Sequence, residues 1–192
     1  DGLFPVMFWI HGGGNTSGLK DLYDFTKLVK KHDVIVVTIN YRLGPLGWFT
    51  HPAIQGLQDG LDKASNFGTL DIIAALEWVN ENINSFGGDP RNITIFGESA
   101  GGHNVLSLLV SKQAKGLFHK AISMSGYTES ISIEDAYKQK NQSPTSNYSA
   151  SEVVKKIIND QPYKNEKDNY NNGKLRNLLY SLSGKEFYQY YA

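Results

Sequence analysis

The chain has 192 residues, no cysteine, 40% hydrophobic residues, and 19 basic side chains against 19 acidic ones. That length supports one sizeable core or two small ones, and a net charge of zero argues against a surface built for nucleic acid or an acidic membrane. Without cysteine there is no disulfide, no thiolate nucleophile and no cysteine-ligated zinc, and no apolar run approaches the ~18 residues of a membrane-spanning helix.

In chain order, Val6–Ile10 is a short apolar run ending at a glycine cluster and reads as a buried strand. Leu22–Lys31 carries helix-spaced apolar residues at Leu22, Phe25, Leu28 and Val29. Val34–Ile39, β-branched and apolar on both faces, has the pattern of a central parallel strand. Leu70–Phe86 is the clearest helix, with Ile72, Ile73, Leu76, Val79 and Ile83 on one stripe. It is stopped by Gly87-Gly-Asp-Pro90. Ile93–Phe96 predicts a strand, Ala100–Ser111 a helix, Lys120–Met124 a strand, and Ser151–Asn159 and Lys174–Leu182 two further helices. This alternation defines an α/β fold, with a mostly parallel sheet and helices on both faces.

Composition divides the chain. Seventeen of the 19 glycines fall in residues 1–126 and nine of the 11 tyrosines in residues 127–192. Residues 1–126 are expected to form the core. Residues 127–192 are expected to be a polar, mainly helical and looped continuation of the same incomplete domain, with surface loops at 141–149 and 162–172.

Two motifs carry chemistry. Gly97-Glu-Ser-Ala-Gly101 lies between a predicted strand and a predicted helix, the context of a nucleophile elbow. Such a turn exposes the Ser99 hydroxyl at the carboxyl end of the sheet above a helix N-terminus. Gly97 and Gly101 are needed there because neighbouring backbone comes too close for a Cβ. His11-Gly-Gly-Gly14 ends the first strand. A hydroxyl attacking an ester carbonyl creates an oxyanion, which unobstructed N–H groups on such a loop stabilise. A phosphate loop is disfavoured, since no Lys-Ser/Thr and no G-x-G-x-x-G spacing follows. His11 and Gly12 read as support for the loop, and Glu98 reads as a structural partner for Arg42 or Arg91. Asp71 and Glu77 read as folding or solvent-facing residues.

These motifs, with Phe8-Trp-Ile-His-Gly-Gly-Gly14, Asn40-Tyr-Arg-Leu-Gly44, Asn66-Phe-Gly-Thr-Leu-Asp71, Trp78-Val-Asn-Glu-Asn-Ile83, Phe86-Gly-Gly-Asp-Pro90, Ile95-Phe-Gly-Glu-Ser-Ala-Gly101 and Ser123-Met-Ser-Gly126 in order, resemble the type-B carboxylesterase family. That group includes cholinesterases and para-nitrobenzyl esterases. His51-Pro52 and Gly101-Gly-His-Asn104 look more like its bacterial members. The related hormone-sensitive-lipase-like family usually carries Asp before the serine and Tyr-Arg-Leu-Ala-Pro, where this chain has Glu98 and Tyr41-Arg-Leu-Gly-Pro45. The resemblance implies an α/β-hydrolase fold, Ser99 as nucleophile and Gly13, Gly14 and Ala100 as oxyanion donors. It also implies a small carboxylic ester as substrate and no metal or organic cofactor. Asn15 stands where many members place an aromatic residue bordering the substrate gorge, so it bears on substrate preference.

A serine nucleophile needs a base, and in this fold the order is Ser, then acid, then His. His103 lies one turn along the nucleophile's own helix, and His119 follows that helix, ~18 Å away. Neither is placed to take the proton. His103 reads as a packing residue, His119 as the start of a strand, and His32 and His51 as loop or surface residues. Glu129, Glu134, Asp135 and Glu152 are candidate acids that nothing in the sequence selects. The expectation is an internal piece of a larger serine esterase that ends before the triad acid and histidine. The alternative is a non-catalytic adhesion or scaffold homologue, against which the intact Ser99 and its flanking glycines argue.

Overall fold

The computed structural model describes residues 2–138, 149–160 and 171–191, so the loops expected at 141–149 and 162–172 lie almost wholly outside the described residues. Its strands are β1 (Phe4–Ile10), β2 (Ile35–Thr38), β3 (Gly88–Glu98) and β4 (Lys120–Met124). Its α-helices are α1 (Thr26–His32), α2 (Pro45–Trp48), α3 (Pro52–Gln55), α4 (Phe67–Asn82), α5 (Ala100–Val110), α6 (Ile133–Tyr137), α7 (Ala150–Asn159), α8 (Asn172–Ser181) and α9 (Gly184–Gln189). The chain divides into two units, one of residues 1–44 and 68–129 and one of 45–67 and 130–192.

The first unit is a parallel sheet in the order β2-β1-β3-β4. Register places Val6 between Ile35 and Ile93, and Phe8 between Val37 and Ile95. Val6, Phe8, Ile10, Ile93 and Ile95 are fully buried, each contributing about 1.5–3 kcal/mol of apolar burial. From β1 the chain moves outward to β2, while β3 moves the other way to β4. The carboxyl ends of β1 and β3 therefore mark a topological switch point, where open parallel sheets form their crevice. Ile10 pairs with Gly97, so the loops that follow leave the sheet side by side. Helix α5 packs across β1, β3 and β4, burying Val105 and Leu108.

The segment expected to be a central strand is instead the outermost of the described strands on its side, and all four residues of β2 are only half-buried. Apolar character on both faces reports cover above and below the sheet, not the number of strand neighbours. The first helix also starts later than Leu22, because the Asp24 carboxylate accepts the Thr26 N–H at 2.9 Å and fixes the turn before it. The long helix ends at Asn82, tightens into a 3-10 turn (Ile83–Phe86), and is closed by Gly87 at φ 84°.

The second unit has its own core of Phe49, Ala53, Ala150, Val153, Val154, Ile157, Leu175 and Leu179, with Tyr190 and Tyr191 packed against it. Its short helices are set by caps. His51 Nδ1 accepts the Ala53 N–H of α3, and burial holds this imidazole below its usual pKa, in keeping with its acceptor role. Ser132, Ser149 and Ser183 cap α6, α7 and α9, and Ser183 with Glu186 completes a capping box.

In the first unit, Arg42 forms a fork onto Asp71, with Nε–Oδ2 at 2.8 Å and Nη2–Oδ1 at 2.7 Å, and its backbone N–H also donates to Oδ2 at 2.9 Å. Burial works to raise the Asp71 pKa, but these bonds and the guanidinium charge outweigh it, and the carboxyl lies below its usual 3.8. A depressed carboxylate stabilises the fold above its unfolded pKa, and that contribution is lost as pH falls through the folded value. Asp71→Asn should therefore lower the unfolding free energy by about 1 kcal/mol at pH 7. In urea titrations the gap to the unsubstituted protein should close as the pH drops below the ordinary carboxylate range. A gap that persists unchanged in acid contradicts the ion pair's role.

Candidate active site

Ser99 joins β3 to α5 at φ 56°, ψ −122°, a conformation that costs a residue with a Cβ about 1–3 kcal/mol. Two backbone bonds hold it there. The Ser99 N–H donates to the Met124 carbonyl at 2.9 Å, and the Ser99 carbonyl accepts the His103 N–H at 3.0 Å. The flanking glycines are steric requirements. A Cβ on Gly97 would stand 2.5 Å from the Gly101 carbonyl carbon, and one on Gly101 would run into the Ile10 carbonyl oxygen and stand 2.8 Å from that of His11. Gly102 and Gly126 meet in the same way where α5 begins beside the end of β4.

The glycine loop lies directly against this turn. A Cβ on Gly12 would be 2.6 Å from the Glu98 carbonyl oxygen and 3.2 Å from Ser99 Cβ. Gly13 and Gly14 have φ of 103° and 64°, and Asn15 follows at 58°. The peptides that lead into this segment are anchored by the carbonyls of His11, Gly12 and Gly13. Tyr41 Oη donates to the His11 carbonyl at 2.6 Å, and burial pushes this phenol's pKa up to about 12, so the donor proton stays in place. His11 Nδ1 donates to the Gly12 carbonyl at 2.8 Å. The Gly13 carbonyl accepts from the backbone N–H and hydroxyl of both Thr16 and Ser17 at 3.0–3.2 Å.

In a planar trans peptide the N–H points opposite to the carbonyl. Anchoring the Gly12 carbonyl therefore aims the Gly13 N–H outward, and anchoring the Gly13 carbonyl does the same for Gly14. The His103 bond to the Ser99 carbonyl likewise turns the Ala100 N–H out from the helix N-terminus. None of these three N–H groups has a hydrogen-bond partner among the described residues, and neither does the Ser99 hydroxyl, which is half-buried.

The remaining sequence-predicted residues fall as follows. His11 is fully buried and stacked on Tyr41, with ring centroids 4.4 Å apart. Its bond to a carbonyl, which only accepts, places the proton on Nδ1. Glu98 does not pair with an arginine. Arg42 is committed to Asp71 and Arg91 to Asp89, and the Glu98 carboxylate lies instead beside Gly12. His103 Nδ1 donates to the Tyr127 carbonyl at 2.6 Å, and the ring stacks on Tyr127. His119 pairs with the middle of β3, its N–H donating to the Ile93 carbonyl and its Nδ1 accepting the Ile93 N–H. His32 ends α1 on the surface. Glu134 and Asp135 bind Lys138, and Glu152 binds Lys155. Among the described residues no cluster of His, Asp and Glu could hold a metal ion.

Sequence reasoning missed Tyr41, Thr16, Ser17, Gly18 and Asn104 as parts of this site. Gly18, at φ 117°, lies where a Cβ would stand 2.5 Å from His11 Nδ1. Asn104 was detectable as an amide on the otherwise apolar buried stripe of α5.

The fold coincides with that of known proteins. Residues 1–181 match the profile of the carboxylesterase family, and the chain belongs to that family. It is 51% identical over 134 residues to para-nitrobenzyl esterase of Bacillus subtilis (strain 168), covering 69% of this chain and 26% of that protein. To liver carboxylesterase of Sus scrofa it is 48% identical over 132 residues, covering 69% of this chain and 22% of the relative. Among solved structures, a thermophilic PNB esterase superimposes with a TM-score of 0.76 at 36% identity, over 98% of this chain and 34% of that one. The fold is thus the α/β-hydrolase fold, and the chain spans about a quarter of the length of these curated relatives.

Substitution at the closest approach tests the packing of the elbow. Gly101→Ala should reduce stability by about 3 kcal/mol or more, at or beyond the upper end of ordinary overpacking, because backbone rather than a yielding side chain blocks the methyl. Gly56→Ala, where the nearest atom to an added Cβ is 3.7 Å away, should stay within about 0.5 kcal/mol. Equal denaturation midpoints for the two variants contradict this packing.

Proposed function

We propose that the protein hydrolyses carboxylic esters through an acyl-enzyme on Ser99. The observation that carries the reading is the pairing of a strained, half-buried serine, its hydroxyl without a partner among the described residues, with the outward-turned N–H groups of Gly13, Gly14 and Ala100 at the sheet's switch point. Ester-hydrolysing relatives at about half identity support it.

In this mechanism Ser99 Oγ attacks the ester carbonyl and its proton passes to a base. The carbonyl oxygen becomes an oxyanion, which accepts hydrogen bonds from the N–H groups of Gly13, Gly14 and Ala100. Collapse of the tetrahedral intermediate breaks the bond to the alcohol, which leaves with the proton returned by the base. Water then repeats the sequence on the acyl-enzyme and releases the acid. The N–H groups act most strongly when the charge is fully developed, so they favour the transition state over bound ester.

The base and its orienting acid belong, in this reading, to sequence outside these 192 residues. Each of the chain's five histidines supports it, being either engaged with the backbone or, like His32, at the end of a helix remote from the turn. The substrate is a small-molecule ester.

The test uses the full-length protein and para-nitrophenyl esters. Ser99→Ala should lower kcat by about 10⁴-fold or more with an unchanged melting temperature, and a fluorophosphonate should attach to Ser99 alone. Retained turnover in Ser99→Ala, or an adduct on another residue, contradicts the proposal.

A further inference from the structure

Asn15 and Asn104 lie 89 positions apart in the chain and face one another as a reciprocal amide pair. Asn104 Nδ2 donates to Asn15 Oδ1 at 2.9 Å, and Asn15 Nδ2 donates back to Asn104 Oδ1 at 3.4 Å. Asn104 is only 1% exposed and sits among the buried residues of α5, Gly101, Val105 and Leu108. Leaving such an amide unpaired there is unfavourable. Asn15 directly follows the glycines in a left-handed conformation, which asparagine tolerates better than other residues with a Cβ. Its carbonyl accepts the Gly44 N–H at 2.6 Å. The Tyr41 hydroxyl, bound to the His11 carbonyl, lies 3.4 Å from Asn15 Oδ1.

We propose that the Asn15–Asn104 pair is a positioning device that sets the distance between the Gly13–Gly14 N–H groups and Ser99. The inference rests on the reading of Ser99 and the loop as an ester-hydrolysing site. The carbonyl anchors fix how each peptide is turned. They do not tie the far end of the loop to α5, the helix that begins at the nucleophile. The amide pair makes that tie, from the residue after Gly14 to a residue about one turn beyond the start of α5. It is two-way, since each asparagine both donates and accepts, so an apolar residue at either position removes both bonds. A displaced loop would still bind a neutral ester, but would meet the oxyanion at the wrong distance. The loss should therefore fall on kcat rather than on KM.

The test is a double-mutant cycle in the full-length protein with para-nitrophenyl esters. A trifluoromethyl ketone, which adds a serine to form a tetrahedral oxyanion, serves as a second readout. Asn15→Gly keeps the left-handed backbone and deletes only the amide, and Asn104→Leu fills the buried site without a polar group. Each should lower kcat about ten- to a hundredfold and leave KM within about twofold. Each should also weaken ketone inhibition by the same factor as kcat. The double variant should be no worse than either single one, because both remove the same interaction. If Asn104→Leu does not fold, Asn15→Gly decides alone through its kcat, KM and ketone affinity. A kcat within about twofold, a loss confined to KM, or losses that multiply in the double variant overturn the proposal. Ser99→Ala is measured alongside. If it abolishes turnover while the asparagine variants leave kcat within about twofold, only the positioning role fails; if Ser99→Ala retains turnover, the reading of Ser99 as nucleophile fails as well.

Discussion

Everything at the candidate site depends on the planarity of the peptide bond. The loop after β1 contains three glycines with no side chains to anchor it, and in isolation it would sample many orientations. It holds one because successive carbonyls are bound from below, His11 by Tyr41, Gly12 by His11 and Gly13 by Thr16 and Ser17. Each rigid amide carries that restraint to the N–H on its opposite side. The loop is thus organised by hydrogen bonds to its own carbonyls. In the proposed reaction, orientation in advance means that no dipole must turn when charge develops.

The strain at Ser99 has the same logic. A left-handed φ on a serine persists only where the surroundings over-determine it. Here its N–H is tied to β4 and its carbonyl to the first turn of α5. The close approach of Gly97, Gly101 and the end of β1 leaves the turn no other path. The Arg42–Asp71 fork belongs to this arrangement at one remove. By binding the Arg42 backbone N–H as well as its guanidinium, Asp71 fixes the residue next to Tyr41, and Tyr41 fixes His11.

Much of this was legible from residue order. Lys120–Met124 is a strand where residue order puts one, and the long helix expected over Leu70–Phe86 forms but starts earlier, at Phe67, and passes into a 3-10 turn after Asn82. The elbow and the glycine loop are local in sequence, and their steric demands write glycine at fixed spacings. What could not be read was anything set by partners distant in the chain. The pattern of Val34–Ile39 records two covered faces, but its place at the side of the sheet depends on which strands pair. Glu98 has the charge to match Arg42, yet Asp71 offers the guanidinium a bidentate grip and takes it. The pairing of Asn15 with Asn104 is invisible at 89 residues' separation, and Asn15 reads from sequence only as a departure from an aromatic position. The short helices α6, α7 and α9 carry legible caps in Ser132, Ser149 and Ser183, although α6 and α9 have too few turns for hydrophobic periodicity to show.

The central claim is that the N–H groups of Gly13, Gly14 and Ala100 converge on the oxyanion of an adduct at Ser99. A crystal structure of the full-length protein inactivated by a para-nitrophenyl phosphonate tests it directly. Phosphorus should be bonded to Ser99 Oγ, with a phosphonyl oxygen about 2.7–3.1 Å from the three nitrogens. A phosphonyl oxygen turned to solvent, with those N–H groups bound elsewhere, would contradict it.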